Sequence, residues 1–155
     1  MSETANPKLC HIMRRITIGL IGAGRIGKLH AEHLAWRIPG AELVAVADSR
    51  LEAAEEVAAA CGVDVAVEDY RVIMENPAIE AVVICASTNM HAQMIEEAAI
   101  AGKHIFCEKP IDHNLAKIDK ALAVVDRAGV KLQVGFMRRF DTNFRRLRDM
   151  VASGK

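Results

Sequence analysis

Three glycines with a characteristic spacing, Gly22, Gly24 and Gly27, separate an apolar run from a segment with helical periodicity. In a strand–turn–helix context the first glycine permits the sharp bend and the second lets the backbone approach a ligand. The third lets the helix pack closely on the strand. The unpaired N–H groups at the start of the helix favour an anion. The pattern therefore predicts a dinucleotide site, the alternative being a purely structural turn. The turn residues predicted to contact the pyrophosphate are Gly22, Gly24, Arg25, Ile26 and Gly27.

A second apolar run ends on an acid, Asp48, about 20 residues beyond the glycine turn, where a Rossmann domain places its ribose-binding group. A carboxylate there accepts both ribose hydroxyls and repels a 2′-phosphate, so it favours NAD over NADP. Arg50 could stack on adenine or meet a 2′-phosphate, which leaves NADP possible. Ser49 lies between them and is included in the predicted cofactor site. The alternative for Asp48 is a helix N-cap for the segment that starts at Leu51.

Small polar residues follow a later apolar strand at Ser87, Thr88 and Asn89. Ligands of open α/β sheets bind at the carboxyl ends of the strands, so these three residues are predicted to contact the cofactor. Thr88 or Asn89 could also cap the helix that follows. His91, in the first turn of that helix, is included in the predicted cofactor site, with a surface or capping role as the alternative.

Another strand runs directly into Glu108-Lys109-Pro110. Proline cannot continue a strand ladder, so the chain must turn at Pro110 and leave Glu108 and Lys109 at the same edge as the glycine turn. One interpretation is a solvated ion pair between Glu108 and Lys109, worth little. The other is that Lys109 meets a substrate hydroxyl or helps to move its proton.

Strand and helix patterns alternate along the chain and position these residues. The alternation predicts an α/β fold in a single domain, a Rossmann-type doubly wound parallel sheet of about six strands. The predicted strands cover residues 16–21, 42–48, 63–67, 81–86, 103–107 and 131–135.

Apolar residues at helical spacing predict the buried helix faces. The first helix is predicted to bury Ile26, Leu29, Leu34 or His33, and Ile38. A later helix, capped by Asn114, is predicted to bury Leu115, Ile118, Leu122 and Val125. The C-terminal segment is predicted to form a packed amphipathic helix that buries Phe140, Phe144, Leu147 and Val151.

Composition limits the classes of function. The chain has 155 residues, is 52% hydrophobic, and balances 20 basic with 20 acidic residues. With zero formal net charge there is no general electrostatic case for a nucleic acid or an anionic membrane. The arginines of the C-terminal segment are interpreted as a solvated face, because no second basic patch supports nucleic-acid binding.

The N-terminus and the cysteines bear on localisation. Residues 1–15 lack the apolar core of a signal peptide, no apolar run is long enough to span a membrane, and Met13 is a possible alternative start. The four cysteines have no zinc-ligand spacing, so no metal site is predicted. They are interpreted as reduced thiols of a cytoplasmic protein. The cysteines are Cys10, Cys61, Cys85 and Cys107.

Taken together, the motifs resemble the N-terminal NAD-binding domain of the Gfo/Idh/MocA-type oxidoreductase family. The resemblance depends on the glycine turn at 22–27, the segments 87–91 and 107–110, and the segment 133–141, which looks most like the inositol 2-dehydrogenase branch. It implies NAD-dependent oxidation of a secondary alcohol of a cyclic polyol or sugar. By the same resemblance Lys109 would contact the reacting hydroxyl and help its deprotonation, and Glu108 would belong to the cofactor site. Met137 would lie near the nicotinamide, and Arg138 would bind substrate hydroxyls.

Members of this family carry a second α+β domain that supplies an Asp and a His to the proton relay, and intact members are expected to be homo-oligomers. The expectation for this chain is that the second domain is absent, so that the chain binds NAD with little or no turnover; its oligomeric state is left open. A lysine amine is protonated in neutral water and by itself is a poor general base. The expected divisions are an extension over 1–14, the NAD-binding domain over 15–139, and a helix over 140–155 that begins the missing domain.

Two further hypotheses accompany this interpretation. One is a non-catalytic NAD-binding module with a regulatory or scaffolding role. The other, ranked last, is a methyltransferase-like domain that uses the same glycine turn, because nothing in that chemistry requires Lys109 and Pro110.

Overall fold

The computed structural model describes residues 14–154, so most of the predicted N-terminal extension, with Cys10 and Met13, lies outside the described residues. The described strands are β1 (Ile16–Ile21), β2 (Ala41–Ala47), β3 (Ala66–Val67), β4 (Ala81–Ile84), β5 (His104–Cys107) and β6 (Leu132–Val134). The described α-helices are α1 (Arg25–Trp36), α2 (Leu51–Cys61), α3 (Arg71–Glu75), α4 (Thr88–Ile100), α5 (Leu115–Ala128) and α6 (Thr142–Ala152). A one-turn 3₁₀ helix, Met137–Arg139, precedes α6.

The six strands form one sheet in the order β3-β2-β1-β4-β5-β6, and every pairing is parallel. This is the doubly wound order, and it confirms the predicted fold class. The chain reverses its direction of winding between β1 and β4, so a crevice opens there at the carboxyl edge. The loops that follow β1, β2, β4, β5 and β6 all emerge at that edge because the strands are parallel.

Two apolar layers cover the two faces of the sheet. On one face, α1 and α2 pack on Leu20, Val46 and Val83. On the other, α4 and α5 pack on Ile21, Ala47, Ile84 and Cys107. Side chains alternate between faces along a strand, so each central strand must be apolar throughout, as the uninterrupted runs in the sequence indicated.

The third strand is shorter than predicted. Only Ala66 and Val67 keep register with β2, whereas residues 63–67 were expected to pair. Val63 is instead buried in the α1–α2 layer, and Val65 is about half exposed. As an edge strand, β3 has a partner on one side only, so a short ladder suffices.

The predicted buried faces of α1 and α5 are wrong in part. Leu29 and Ile38 are about half exposed, and Leu115 and Leu122 are 75% and 39% exposed. The buried positions of the two helices are mostly small side chains, which let the helices approach the sheet closely: Gly27, Ala31, Leu34, Ala121, Val124 and Val125. The cap by Asn114 is confirmed, since its side chain accepts the Ala116 N–H at 2.9 Å.

The C-terminal helix is not packed as predicted. None of the residues of α6 is buried, and its apolar stripe is exposed. The stripe continues onto the 3₁₀ turn and is exposed at Met137, Phe140, Phe144, Leu147 and Val151. Amphipathic spacing correctly predicted the helix but not what covers it.

Candidate functional site

The glycine turn between β1 and α1 has a backbone that only glycine adopts easily. Gly22 has φ +99°, and a Cβ at this position would lie 2.6 Å from the carbonyl of Cys85 on the neighbouring segment. A Cβ on Gly27 would overlap the carbonyl oxygen of Gly22. The helix therefore starts directly against the turn, as the spacing predicted.

Residues at the start of α1 offer N–H groups toward open space. Lys28 donates to Gly24 O at 2.9 Å, so the N–H groups ahead of Lys28 at the helix start have no intrahelical acceptor. A Cβ on Gly24 would meet no protein atom within 4 Å, and the first turn has no acidic residue. Free N–H donors in a first turn without acidic residues, beside open space, fit a pyrophosphate.

Asp48, directly after β2, faces the glycine turn. Its Oδ2 accepts the Ala23 N–H at 2.7 Å, and its Oδ1 accepts the Arg50 N–H at 3.0 Å. Asp48 is not the N-cap of α2: that position is Arg50, which makes no side-chain capping bond. Each carboxylate oxygen keeps a lone pair for a further donor, such as a ribose hydroxyl.

A cleft of about 570 Å³ opens between these two segments and the loop after β4. Six predicted cofactor-binding residues line it: Gly22, Gly24, Asp48, Ser49, Arg50 and Ser87. The cleft lies across the switch point of the sheet, which is where ligands of doubly wound folds bind.

The loop after β4 differs from its prediction in its capping and in its histidine. The N-cap of α4 is Ser87, with no side-chain capping bond, rather than Thr88 or Asn89. His91 is only 2% exposed, and its Nδ1 and Nε2 each lie 2.8 Å from a backbone oxygen, of Pro110 and Ala86 respectively. Both ring nitrogens are thus engaged with the protein and not directed at a ligand.

The turn after β5 is held by Glu108. Its Oε1 lies 3.0 Å from His30 Nε2 on α1, and its Oε2 accepts the Lys109 N–H at 3.2 Å. The carboxylate is packed so closely on Gly135 that a Cβ there would lie 3.0 Å from Oε1. The side-chain partner of Glu108 is therefore His30 and not the neighbouring Lys109, whose side chain is exposed and makes no ion pair within residues 14–154.

A second hollow, of about 260 Å³, is lined by Lys109 and the segment after β6, Phe136 to Arg139. Met137 and Arg138, the predicted neighbours of nicotinamide and substrate, lie here beside Lys109. The Arg138 guanidinium stacks 4.4 Å above the centre of the Phe144 ring. The stack orients an exposed arginine at the mouth of this hollow.

Comparison with known families settles the classification. Residues 16–136 match the family model described as the oxidoreductase family, NAD-binding Rossmann fold, with the name GFO_IDH_MocA. The chain belongs to the Gfo/Idh/MocA oxidoreductase family. It carries the family's NAD-binding domain, and the glycine turn and cleft fit that cofactor.

Two curated family members are inositol dehydrogenases. The inositol 2-dehydrogenase of Rhizobium meliloti is 46% identical over 140 residues, and the match covers 90% of this chain and 42% of the relative. The myo-inositol 2-dehydrogenase of Thermotoga maritima is 43% identical over 137 residues, covering 88% of this chain and 41% of the relative. The chain thus spans about two fifths of the length of the curated relatives that it matches.

One solved structure of the family contains a cofactor and a polyol. The scyllo-inositol dehydrogenase of Lactobacillus casei, with bound NAD(H) and scyllo-inositol, is 36% identical to this chain with a TM-score of 0.84. The likeness covers 91% of this chain and 42% of that protein.

Sequence patterns missed several residues at the Gfo/Idh/MocA site. Tyr70 lines the cleft and donates its hydroxyl to Glu97 Oε2 at 2.8 Å, and burial, then this bond, raises the pKa of Tyr70 to about 12. Cys85 also lines the cleft, and burial, then Glu108 and Cys107, raises its pKa to about 12. Both residues follow the carboxyl end of a strand, so the edge rule could have found them. His30 could not be found in this way, because it is on a helix, 78 residues from Glu108.

Metal and membrane features are absent from the described part of the chain. Within residues 14–154, no group of three or more His, Cys, Asp or Glu side chains could hold a metal ion. No helix in that range is long and apolar enough to cross a bilayer. Cys61, Cys85 and Cys107 are free thiols.

Proposed function

We propose that this chain is the cofactor-binding half of an NAD-dependent dehydrogenase that oxidises a secondary alcohol of a cyclic polyol, with inositols as the substrate class. The observation that carries the proposal is the alignment of four segments along one edge of the sheet. These segments are the start of α1, Asp48 after β2, Ser87 after β4 and the Lys109 turn after β5. We expect it to act in the cytoplasm.

The cofactor would cross the sheet edge at the switch point. Its pyrophosphate would meet the N–H groups at the start of α1, and its adenosine ribose would bind Asp48, which has a lone pair free on each oxygen. Asp48 supports NAD as the cofactor, with Arg50 leaving room for NADP. The nicotinamide half would then lie over β4 and β5. The residues assigned to the cofactor are Gly22, Gly24, Arg25, Ile26, Gly27, Asp48, Ser49, Arg50, Ser87, Thr88, Asn89, Glu108 and Met137.

The Lys109 ammonium is exposed beside a hollow of about 260 Å³ and forms no bond with other residues in the described range. It is therefore free to bind a substrate hydroxyl and to stabilise negative charge as that hydroxyl loses its proton. NAD, when bound, supplies the hydride acceptor. Arg138, oriented by its stack on Phe144, would bind a second hydroxyl of the polyol.

Inositol as the substrate class follows from relatives that match this chain over about 90% of its length. Several are inositol 2-dehydrogenases, and one solved relative contains NAD(H) and scyllo-inositol. Two fifths of those proteins correspond to this chain. The 155 residues alone are therefore proposed to bind NAD with little or no turnover, because no described carboxylate or imidazole bonds to Lys109 Nζ to accept its proton.

A titration with NADH tests the proposal. The purified 155-residue chain is mixed with NADH, NADPH and S-adenosylmethionine, and binding is followed by calorimetry and, for the reduced cofactors, by nicotinamide fluorescence. We expect saturable binding of NADH, weaker binding of NADPH and no binding of S-adenosylmethionine. NAD reduction is then followed with myo- and scyllo-inositol. Failure to bind NADH would overturn the cofactor assignment, and turnover at the rate of a two-domain inositol dehydrogenase would overturn the proposed lack of activity.

A further inference from the structure

His91 is a buried polar side chain that has no role in the proposed function. Its ring is 2% exposed and lies between two backbone carbonyls, with Nδ1 2.8 Å from Pro110 O and Nε2 2.8 Å from Ala86 O. A carbonyl oxygen only accepts, so a hydrogen bond at either contact requires an N–H on the ring, and a neutral imidazole has one, on Nδ1 or on Nε2. The ring lies between the loop after β4 and the turn after β5, and an N–H on Nδ1 donates to the turn at Pro110 O.

The two segments need such a tie because the strand ladder between them has already ended. Its last bond runs from Glu108 N to Ile84 O at 2.9 Å. Beyond it, the Lys109 N–H is taken by the Glu108 carboxylate at 3.2 Å, and Pro110 has no N–H. The Nδ1 contact with Pro110 O thus holds the chain on the far side of Lys109.

Burial of the His91 ring increases the cost of losing its hydrogen bond. The His91 ring is buried, and Pro110 and Ala86 are half-buried, so a carbonyl that loses its donor here pays part of the cost of desolvation. The segments that the ring joins are functional ones, because Ala86 lines the cofactor cleft and Pro110 follows Lys109 directly. A shift of the Pro110 carbonyl would move the turn that borders the nicotinamide half of the proposed site, whereas the adenosine half is assigned to the residues that follow β2.

We propose that His91 is a positioning residue that fixes the Glu108-Lys109-Pro110 turn against the nicotinamide half of the cofactor site by donating to Pro110 O. The inference rests on the proposed function, since that function places the nicotinamide beside this turn. His91 itself touches neither cofactor nor substrate.

Three variants of the full 155-residue chain test the role of His91. His91→Phe keeps a planar ring but removes its N–H donor, and His91→Gln keeps an N–H donor. His113→Phe applies the same change to an exposed histidine in the loop that follows the turn. Each protein is titrated with NADH and with ADP-ribose, which lacks the nicotinamide, and its thermal midpoint is measured.

Loss of one buried hydrogen bond corresponds to about a five- to tenfold change in an equilibrium constant. We expect His91→Phe to weaken the binding of NADH by about that factor and to leave the affinity for ADP-ribose within about twofold of wild type. We expect His91→Gln to recover most of the loss and His113→Phe to match wild type. Equal losses for both ligands would mean a purely structural role and would overturn the proposal, as would unchanged affinity for both.

A measurement on the wild-type chain keeps the test decisive if His91→Phe does not fold. In NMR spectra we expect a slowly exchanging Nδ1–H signal of His91, with coupling across the hydrogen bond to the carbonyl carbon of Pro110. Absence of that coupling would overturn the inference. Failure of the wild-type chain to bind NADH is a separate result, which contradicts the proposed function and leaves the coupling measurable.

Discussion

The Asp48 carboxylate accepts the backbone N–H of Ala23 at 2.7 Å, so the acid after β2 braces the glycine turn after β1. The two residues are 25 positions apart, and Asp48 lines the cofactor cleft together with Gly22 and Gly24, the neighbours of Ala23. One carboxylate can thus serve the fold and a ligand together, since each oxygen accepts two hydrogen bonds. A loss of binding in an Asp48 variant must therefore be separated from a loss of the turn.

Replacement of Asp48 by Asn and by Ser separates these two roles. Asn keeps an oxygen for one backbone donor but removes the charge, whereas Ser is too short to reach the turn. We expect both variants to bind NADH about 10- to 100-fold more weakly, as for the loss of a charge-assisted hydrogen bond. We also expect the affinity for NADPH to rise relative to that for NADH, because the charge that repels a 2′-phosphate is gone. Calorimetric titration measures both ratios.

The thermal midpoint is the control for the Asp48 variants. Only Asp48→Ser should lower the thermal midpoint clearly, since this variant leaves the Ala23 N–H without its acceptor. An unchanged ratio of NADH to NADPH affinity in both variants would show that Asp48 acts as a brace alone.

Gly24→Ala is expected to lose NADH affinity, whereas Gly27→Ala is expected to lose stability. A Cβ on Gly24 meets no protein atom, so the variant should fold with stability within about 1 kcal/mol of wild type while losing at least about tenfold in NADH affinity. A Cβ on Gly27 overlaps the Gly22 carbonyl, so that variant should lose more than about 2 kcal/mol of stability. Urea unfolding and NADH titration give both quantities.

Gly40→Ala is the matched control, because its Cβ also meets no protein atom and Gly40 lies outside the cleft. It should leave both stability and NADH affinity near wild type. Wild-type NADH affinity in Gly24→Ala would contradict the placement of the pyrophosphate beside this residue.

The sheet was predictable because its signals are local. Four or more consecutive apolar residues, as in β4, identify a central strand buried on both faces, and the parallel order then brings the glycine turn, Asp48 and Lys109 to one edge. The errors in the buried face of α5 come from reading large apolar side chains as the buried ones. In α5 the leucines suggested the buried face, but Ala121 is fully buried while Leu115 is exposed, since close packing on a sheet favours a small side chain.

The contacts that hold the site were not predictable from local pattern. His30 reaches Glu108 from another element, and His91 reaches Pro110 across 19 positions. Neither histidine has neighbours in sequence that indicate its partner. Their arrangement depends on how α1 and α4 pack against the turn after β5, which is known only once the fold is assembled.

Alkaline pH should destabilise the chain through Cys85. Burial, then Glu108 and Cys107, raises its pKa from 9.0 to about 12. The unfolded thiol therefore loses its proton first as pH rises above about 9, and stability present below that pH is lost progressively up to about 12. The free energy of unfolding should fall by at most about 1.4 kcal/mol per pH unit for this thiol.

Cys85→Ser removes this titrating group and should flatten the decline. Urea unfolding of both proteins at pH 7.5 and at pH 10 measures the difference. An identical decline in the two proteins would mean that Cys85 does not contribute. Cys107, with its pKa also raised to about 12 by burial and then Glu108, should behave in the same way when it is replaced.

The unpacked face of α6 leads to a prediction about stability. Leu147 is 56% exposed, and Ile95, on α4, is fully buried. Leu147→Ser should change the free energy of unfolding by less than about 0.5 kcal/mol, as for other exposed positions. Ile95→Ala, the buried comparison, should cost about 2–5 kcal/mol. Urea unfolding of the 155-residue chain measures both. A cost above about 1.5 kcal/mol at Leu147 would instead support the packed amphipathic helix expected from its spacing, because a change of that size is typical of a buried leucine and not of an exposed one.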